Sequence, residues 1–384
     1  MTGDGSKPGD DNLHAVLADW LVQREGCTPA EAVAHHGVNA VLAACEHEGV
    51  VSLVHARLSE MAATDPVPPA LLQALATRAR LCAARSLLCV SEAGKIEQAL
   101  DAAGIPAIWL KGIALGHWLY PRAHLRDIAD IDLLLPDHAT TLRAAQVLAP
   151  LGYVLPNPHI AGDLVVHELL AWSERAQLEL DLHWDLSNGA LFAGRLPWSH
   201  LQQGSVSLPV LGEGARGLSP PDAFLHACLH RAVNTLTGRG DRLRWLYDIH
   251  LLASGFDPEA WRQLLRSARQ ARLADASASA LQASQRTFGT PVPATLMPAF
   301  EAAAAGEPIR TERLRNWSYF QRACWQRLPD LRSRLRWLRQ LLFPDLAHLR
   351  VRYAEDGAGH ARILRRRLRD GIARWRGYTL GAPR

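Results

Sequence analysis

Two aspartates, Asp130 and Asp132, stand one residue apart in an apolar run that continues to Leu135. On a β-strand, side chains alternate between faces, so both carboxylates would lie on one face, about 6.5–7 Å apart. Two carboxylates at that spacing repel each other unless a cation lies between them. A hard divalent cation such as Mg²⁺ binds one or two carboxylates together with phosphate oxygens. The pair is a candidate metal site, although two such aspartates also cap strand ends and helix starts.

The segment upstream carries groups that suit a phosphate. Lys111 and Gly112 follow a short apolar run and precede a helix-like segment. Glycine lets the backbone approach a ligand, and the first turn of a helix offers free N–H groups to an anion. Arg126, four residues before Asp130, is a second candidate cation. Taken alone, either basic side chain is equally typical of a solvated surface.

A third carboxylate is needed if two metal ions act, one on the attacking hydroxyl and one on the leaving pyrophosphate. Asp181 fits this role. It lies in a segment of strict apolar–polar alternation, on one strand face with Glu179, His183 and Asp185. Glu179 is the main rival for the third ligand, and an exposed sheet face explains the alternation without any metal.

A pair of histidines occurs farther along the chain. His226 and His230 stand four residues apart, which brings both side chains to one face of a helix. Because no third ligand is apparent, the pair is more typical of a packed helix face than of a metal site. The alternative is that His230 lines the pocket for the acceptor or the nucleobase. Arg244 and Asp248, also four apart, are interpreted as an ion pair within one helix.

The surrounding pattern predicts an α+β fold, with a small mixed β-sheet flanked by helical regions. Strands are predicted at 107–110, 130–135, 164–172, 177–186 and 206–211, with the third and fourth forming a hairpin. Helices are predicted at 113–120 and 137–149. The predicted divisions are a disordered leader (1–12), an N-terminal helical region (13–103), a sheet-containing core (104–215) and a C-terminal helical region with a basic tail (216–384).

Composition bounds the class of protein. The chain has 384 residues, of which 48% are hydrophobic and 21% charged, as in folded globular proteins. The first residues lack a signal-peptide pattern and no apolar stretch reaches the ~18 residues of a membrane span, which predicts a cytoplasmic protein without a membrane span. Six cysteines without paired spacing predict neither a disulfide framework nor a zinc site. Residues 310–384 carry nineteen arginines against six acidic residues, a pattern typical of nucleic-acid or acidic partners and also of solvated helix faces.

Several motifs in order resemble the uncharacterised nucleotidyltransferase family of the polymerase-beta-like superfamily. The motifs are Leu110-Lys111-Gly112, Leu119-Tyr120-Pro121, Arg126-x-x-x-Asp130-Ile131-Asp132-Leu133-Leu134, Leu180-Asp181-Leu182-His183-Trp184, Leu225-His226-Ala227-Cys228-Leu229-His230 and Leu243-Arg244-Trp245-Leu246-Tyr247-Asp248-Ile249. The resemblance covers roughly residues 70–350, and linked motifs are far more specific than D-x-D alone.

The resemblance implies transfer of a nucleoside monophosphate from a triphosphate such as ATP to an acceptor, with release of pyrophosphate. It assigns Asp130 and Asp132 to Mg²⁺ or Mn²⁺, with Asp181 completing the site. The superfamily's usual Gly-Ser or Gly-Gly pair on the phosphate turn is Lys111-Gly112 here, so Lys111 would compensate for a missing serine hydroxyl. The nucleotide-binding residues that we expect are therefore Lys111, Gly112, Arg126 and His230. The acceptor stays open among a small molecule, a peptide or protein, and a nucleic acid.

Two other functions are compatible with the D-x-D motif. A glycosyltransferase would use the aspartates to hold Mn²⁺ on a nucleotide-sugar. It would need a larger nucleotide-binding region before the motif, where this sequence predicts helices and one strand. A non-catalytic member that binds nucleotide or a partner protein is the second alternative, and three retained carboxylates argue against it.

Overall fold

The computed structural model describes residues 10–63, 65–236, 241–353, 361–362, 365–369 and 371–372. Its α-helices include α1 (Asp10–Leu21), α2 (Pro29–His36), α3 (Val38–Glu48), α4 (Val51–Met61), α5 (Pro69–Ala102), α6 (Lys111–Trp118), α7 (His138–Leu148), α8 (Trp198–Gly204), α9 (Pro220–Thr235), α10 (Leu243–Ser254), α11 (Pro258–Ala271), α12 (Ala274–Phe288), α13 (Leu296–Ala305), α14 (Trp317–Arg327), α15 (Leu331–Leu342) and α16 (Leu346–Tyr353). The strands are β1 (Ile108–Trp109), β2 (Ile131–Leu134), β3 (Tyr153–Val154), β4 (Glu168–Ser173), β5 (Leu178–His183), β6 (Val206–Ser207) and β7 (Arg216–Gly217). Most of the predicted leader lies outside the described residues, and its last part, from Asp10, belongs to α1.

The seven strands form one mixed sheet in the order β3-β4-β5-β2-β1-β7-β6. The central pair, β2 and β5, is parallel, whereas β1 pairs antiparallel with β2 and β4 antiparallel with β5. The α+β class, the mixed sheet and the hairpin of β4 and β5 are therefore confirmed. In the described residues before β2, β1 is the only strand, as the sequence predicted.

Alternation along the central strands gives the sheet one apolar face and one polar face. Leu133 of β2 and Leu180 and Leu182 of β5 are fully buried in a core that α5 and α7 complete with Ile96 and Leu148. Because neighbouring side chains on a strand point to opposite faces, Asp132, Asp181 and His183 share the other face.

A second core joins helices from the two ends of the chain. Leu17 of α1 and Leu58 of α4 lie in one cluster with Leu246 of α10 and Leu281 of α12. The two predicted helical regions therefore pack together. No described helix is long and apolar enough to cross a membrane, and the six cysteines are free thiols.

Several predicted element bounds were wrong by a few residues. Strand β2 begins at Ile131, so Asp130 precedes it and does not belong to it. Strand β4 begins at Glu168 and not at residue 164, because Val165 and Val166 donate backbone hydrogen bonds to Gly162 in a turn. The last predicted strand is limited to β6 because Leu211 N donates to Leu208 O in another turn.

Candidate active site

The parallel pairing of β2 and β5 places Asp132 directly opposite Asp181. His183 lies two residues after Asp181, on the same face of β5. One potential metal-ligating atom from each of the three side chains lies within 4.8 Å of the other two. We call Asp132, Asp181 and His183 the β2–β5 cluster. Its members come from chain segments about fifty residues apart, which the pairing of β2 with β5 brings together.

Asp132 is the most enclosed member of the cluster, with 1% of its side chain exposed. Its Oδ1 lies 2.5 Å from Lys111 Nζ and accepts a hydrogen bond from His183 Nε2 at 3.0 Å. Burial alone would raise the pKa of Asp132, but the charge of Lys111 and the His183 contact lower this pKa well below its usual range. Asp132 is therefore an anion whose charge is balanced by protein groups.

Asp181 has no such compensation. Its Oδ1 is buried and has no hydrogen-bond partner among the described residues. Burial, followed by repulsion from Asp132, raises the pKa of Asp181 to about 7. A buried carboxylate oxygen of this kind requires a proton or a cation, because an unpaired buried charge is costly.

Two other carboxylates lie near the cluster. Asp130 directly precedes β2, and burial together with the charge of Asp132 raises its pKa. Glu179 shares the strand face of Asp181, and burial and Asp130 raise its pKa. Neither residue belongs to the group of three ligating atoms, so the structure brings Asp132 and Asp181 together and leaves Asp130 and Glu179 beside them.

Lys111 is the first residue of α6 and has φ = +48°, in the left-handed region that residues other than glycine rarely adopt. Leu110 N donates to Asp132 O at 3.0 Å, which ties the start of α6 to β2. Gly112 is buried against Arg126, since an added Cβ would lie 3.3 Å from Arg126 Nη1. The structure thus gives Gly112 a packing role, and its predicted contact with phosphate stays a prediction.

Arg126 is buried in an ion pair. Its Nε and Nη2 donate to Asp248 at 2.8 and 2.7 Å, and Tyr120 Oη donates to the same carboxylate at 2.7 Å. The interpretation of Arg244 and Asp248 as an ion pair within a helix was therefore wrong, because Asp248 turns inward to partners 122 and 128 residues away. With its charge balanced in this way, Arg126 as a triphosphate ligand stays a prediction.

His226 and His230 face Lys111 across a cavity of about 40 Å³ that Trp118 and Trp245 also line. Burial, with a smaller contribution from Lys111, lowers the pKa of His226 to about 3 and that of His230 well below its usual value. His230 packs edge-on against Trp245, with ring centroids 4.6 Å apart. The cavity has room for a few waters but not for a nucleobase, so the predicted pocket role of His230 would require the cavity to widen.

A sequence profile described as an uncharacterised nucleotidyltransferase matches residues 35–289, about two thirds of the chain. The chain belongs to this family. The match includes both central strands and every member of the β2–β5 cluster. No curated protein and no solved structure matches the chain. The family supports transfer of a nucleotidyl group as the general reaction.

Sequence reasoning missed two residues at the candidate site. It placed His183 on the face of Asp181 but gave it no role, and it did not consider Glu168 at all. His183 Nδ1 lies 3.3 Å from Glu168 Oε2 while Nε2 contacts Asp132, so the imidazole bridges two carboxylates. The alternation on β5 was a usable signal for His183. Glu168 becomes visible only once β4 and β5 are known to pair with Glu168 opposite His183.

The donor set of the β2–β5 cluster fits a divalent cation of the Mg²⁺ or Mn²⁺ type. Carboxylate oxygens are the ligands that these ions prefer, and His183 Nε2 already contacts Asp132 Oδ1. The unpartnered Asp181 Oδ1 is the observation that favours a cation here, because it leaves one buried acceptor unfilled.

The basic C-terminal region is described as far as Tyr353 and in short pieces beyond it. Two of its arginines, Arg310 and Arg336, form ion pairs with Asp275 and Asp163. Three others line an open cavity of about 470 Å³ at the start of α14: Arg313, Arg315 and Arg322. Nucleic-acid binding by this region stays a prediction.

Proposed function

We propose that the protein transfers a nucleoside monophosphate from a nucleoside triphosphate, such as ATP, to an acceptor and releases pyrophosphate. Mg²⁺ or Mn²⁺ would be held by Asp132 and Asp181. The observation that carries the proposal is the parallel register of β2 and β5, which sets these carboxylates opposite each other. One carboxylate is balanced by Lys111, whereas Asp181 Oδ1 lacks a partner among the described residues.

Each neighbouring residue has a role in this proposal. Asp130 enters as a third carboxylate when the triphosphate is bound, since it directly precedes β2 and already lies in the field of Asp132. His183 is a positioning residue, because its Nε2 contacts the Oδ1 of Asp132. The start of α6 faces the phosphates, where helix N–H groups and Lys111 stabilise negative charge. When bound, the divalent cation neutralises phosphate charge and lowers the pKa of an acceptor hydroxyl.

In the proposed reaction, an oxygen of the acceptor attacks the α-phosphorus as the bond from that phosphorus to the bridging oxygen breaks. Pyrophosphate leaves with the electron pair of that bond. The proton of the acceptor hydroxyl would pass to Asp181 Oδ2, the carboxylate oxygen that stays free when Oδ1 holds the cation. The buried surroundings of Asp132 favour this chemistry because charges interact more strongly when water is excluded.

Label transfer tests the proposal and identifies both substrates. The purified protein is incubated with Mg²⁺, extract of the source cells and each of the four ribonucleoside triphosphates, labelled on the α-phosphate. We expect one triphosphate to label an acceptor, which is then identified by mass spectrometry. The variant Asp132→Asn with Asp181→Asn should lose the label, because amides are poor ligands and cannot balance the cation.

The matched control is Asp137→Asn. Asp137 follows β2 and caps α7 from an exposed position, and asparagine caps helices equally well. This variant should label the acceptor as the parent does. Label transfer that persists in the double variant would show that the reaction does not use the β2–β5 cluster.

A further inference from the structure

Lys111 holds the place that a metal ion would need at Asp132. Its Nζ lies 2.5 Å from Asp132 Oδ1, the oxygen that also accepts from His183 Nε2. About a quarter of the lysine side chain is exposed, whereas Asp132 is almost fully enclosed. The lysine therefore has a path to solvent, and the aspartate does not.

The backbone at Lys111 supports a role beyond charge balance. With φ = +48°, Lys111 occupies a conformation that glycine would adopt without strain. Strained backbone of this kind clusters at active sites and ligand-binding sites. Lys111 is also one of only three lysines in a chain of 384 residues.

We propose that Lys111 is an exchangeable cation, released from Asp132 when a divalent cation binds and transferred to the phosphates of the triphosphate. This inference rests on the proposed function. An ammonium and a dication cannot both contact Asp132 Oδ1 without strong mutual repulsion in a buried site. The triphosphate brings new negative charge to the start of α6, so the released ammonium gains a partner there.

The exchange explains how the negative charge of the β2–β5 cluster is balanced both in the metal-free protein and in the protein with metal bound. Without metal, Lys111 balances Asp132, and Asp181 Oδ1 has no hydrogen-bond partner among the described residues. With metal and triphosphate, both aspartates bind the cation and Lys111 binds phosphate.

The structure contains a matched lysine for comparison. Lys95 Nζ also lies 2.5 Å from a buried carboxylate, Glu92 Oε1, within α5. Among the described residues, Glu92 belongs to no group of three potential metal ligands. Lys95 should therefore keep its partner when metal and triphosphate are added.

NMR of the intact protein follows both lysines in one spectrum. Reductive ¹³C-methylation labels Lys7, Lys95 and Lys111, and the signals are assigned with Lys→Arg variants of each. We expect Mg²⁺ to shift the Lys111 signal, and a non-hydrolysable triphosphate analogue to shift it again, with Lys95 unchanged. A Lys111 signal that does not move while Mn²⁺ relaxation shows the metal bound would overturn the exchange.

Metal affinity gives a second measurement that does not depend on activity. In Lys111→Met, whose side chain matches that of lysine as far as Cε and keeps the same backbone strain, the competing ammonium is gone. We expect Mn²⁺, without nucleotide, to bind at least about tenfold more tightly than to the parent, and the triphosphate analogue to bind more weakly. Lys95→Met should bind Mn²⁺ as the parent does.

The two proposals fail in different ways. Unchanged or weaker Mn²⁺ binding by Lys111→Met contradicts the exchange while leaving label transfer intact. Unchanged Mn²⁺ binding by Asp132→Asn with Asp181→Asn contradicts the metal site itself, and with it both proposals.

Discussion

Two carboxylates near Lys111, those of Asp248 and Asp181, differ in how completely their oxygens are satisfied. Asp248 accepts from Tyr120 Oη and from two nitrogens of Arg126, at 2.7 to 2.8 Å. Asp181, in contrast, has a buried Oδ1 without a partner among the described residues. Asp248 is 3% exposed and Arg126 5%, whereas Asp181 is half-buried with its Oδ1 enclosed. The two carboxylates therefore differ in exposure as well as in hydrogen bonding.

The difference separates a structural site from a functional one. A buried carboxylate with all its contacts made holds elements together, and Asp248 links α10 to the loop that leads into β2. A buried carboxylate with an open acceptor destabilises the empty protein, a cost that is characteristic of ligand sites. We expect substitutions at the two positions to change stability in opposite directions.

The largest effect is expected for Asp248→Asn. The substitution leaves the buried guanidinium of Arg126 without a charged partner, which costs about 3–5 kcal/mol of unfolding free energy. Urea denaturation followed by circular dichroism measures this loss. At low urea, where the variant is folded, Mn²⁺ should bind within about threefold of the parent affinity, because the β2–β5 cluster is unchanged.

Glu259→Gln is the control for Asp248. Glu259 forms ion pairs with Arg262 and Arg266 on the exposed surface of α11, and its loss should cost less than about 1 kcal/mol. Equal effects of the two substitutions would show that the Asp248 network does not hold the fold together.

Asp181→Asn should stabilise the metal-free protein. Because the folded pKa of Asp181 is raised to about 7, the parent loses stability as pH rises from the unfolded pKa near 4 through 7. Asparagine removes that cost, so the variant should gain about 2–3 kcal/mol of unfolding free energy at pH 8, a value reduced for the partial exposure of Asp181. At pH 4 the gain should be zero. Urea midpoints in EDTA at the two pH values measure the gain. Lower stability of the variant at pH 8 would show that Asp181 is satisfied in the empty protein.

His226 should lower the stability of the protein at acidic pH, whereas Asp181 lowers it at alkaline pH. Burial, and then the charge of Lys111, lower the pKa of His226 to about 3 in the folded protein. In the unfolded chain the imidazole binds a proton near pH 6.5, where the folded protein does not. Stability should therefore fall as pH drops below 6.5, by about 2 kcal/mol at pH 5. His226→Gln should remove that part of the loss between pH 7.5 and 5, as measured by urea denaturation. Loss of the same size in the variant would assign the acid sensitivity to other groups.

Local pattern was sufficient to predict the sheet, the hairpin and the candidate carboxylates. Alternation from Leu178 to His183 identified β5 because one face is buried and the other polar. The pairing of β2 with β5 was not predictable from that pattern, since a strand's alternation does not specify its neighbour. The register that sets Asp132 opposite Asp181 is a property of the whole sheet.

The wrong ion pair in α10 and the unanticipated contact of Lys111 with Asp132 have the same origin. Arg244 and Asp248 have the spacing of a helical ion pair, but Asp248 pairs with the guanidinium of Arg126, which reaches it from another chain segment. The phosphate role of Lys111 stays a prediction, whereas its contact with Asp132 was not anticipated because that contact depends on how β1 and β2 pair. Short-range spacing identifies which residues can interact, and long-range packing selects among them.

The smallest stability effect is expected for Glu168→Gln. Glu168 Oε2 contacts His183 Nδ1 at 3.3 Å and about a third of the side chain is exposed, so the loss should be below about 1 kcal/mol. Mn²⁺ affinity should nevertheless fall about tenfold, because a carboxylate behind a histidine fixes the orientation of the ring and its neighbours. Titration calorimetry or Mn²⁺ relaxation measures the change.

Glu174→Gln is the matched control for this position. Glu174 lies at the other end of β4, where it accepts a hydrogen bond from Trp172 Nε1, and it belongs to no group of potential metal ligands. Its substitution should leave Mn²⁺ affinity unchanged. If Glu168→Gln also leaves the affinity unchanged, His183 does not position Asp132 for metal. His183 would then have a structural role, as Asp248 has, and would not take part in the metal binding proposed for Asp181.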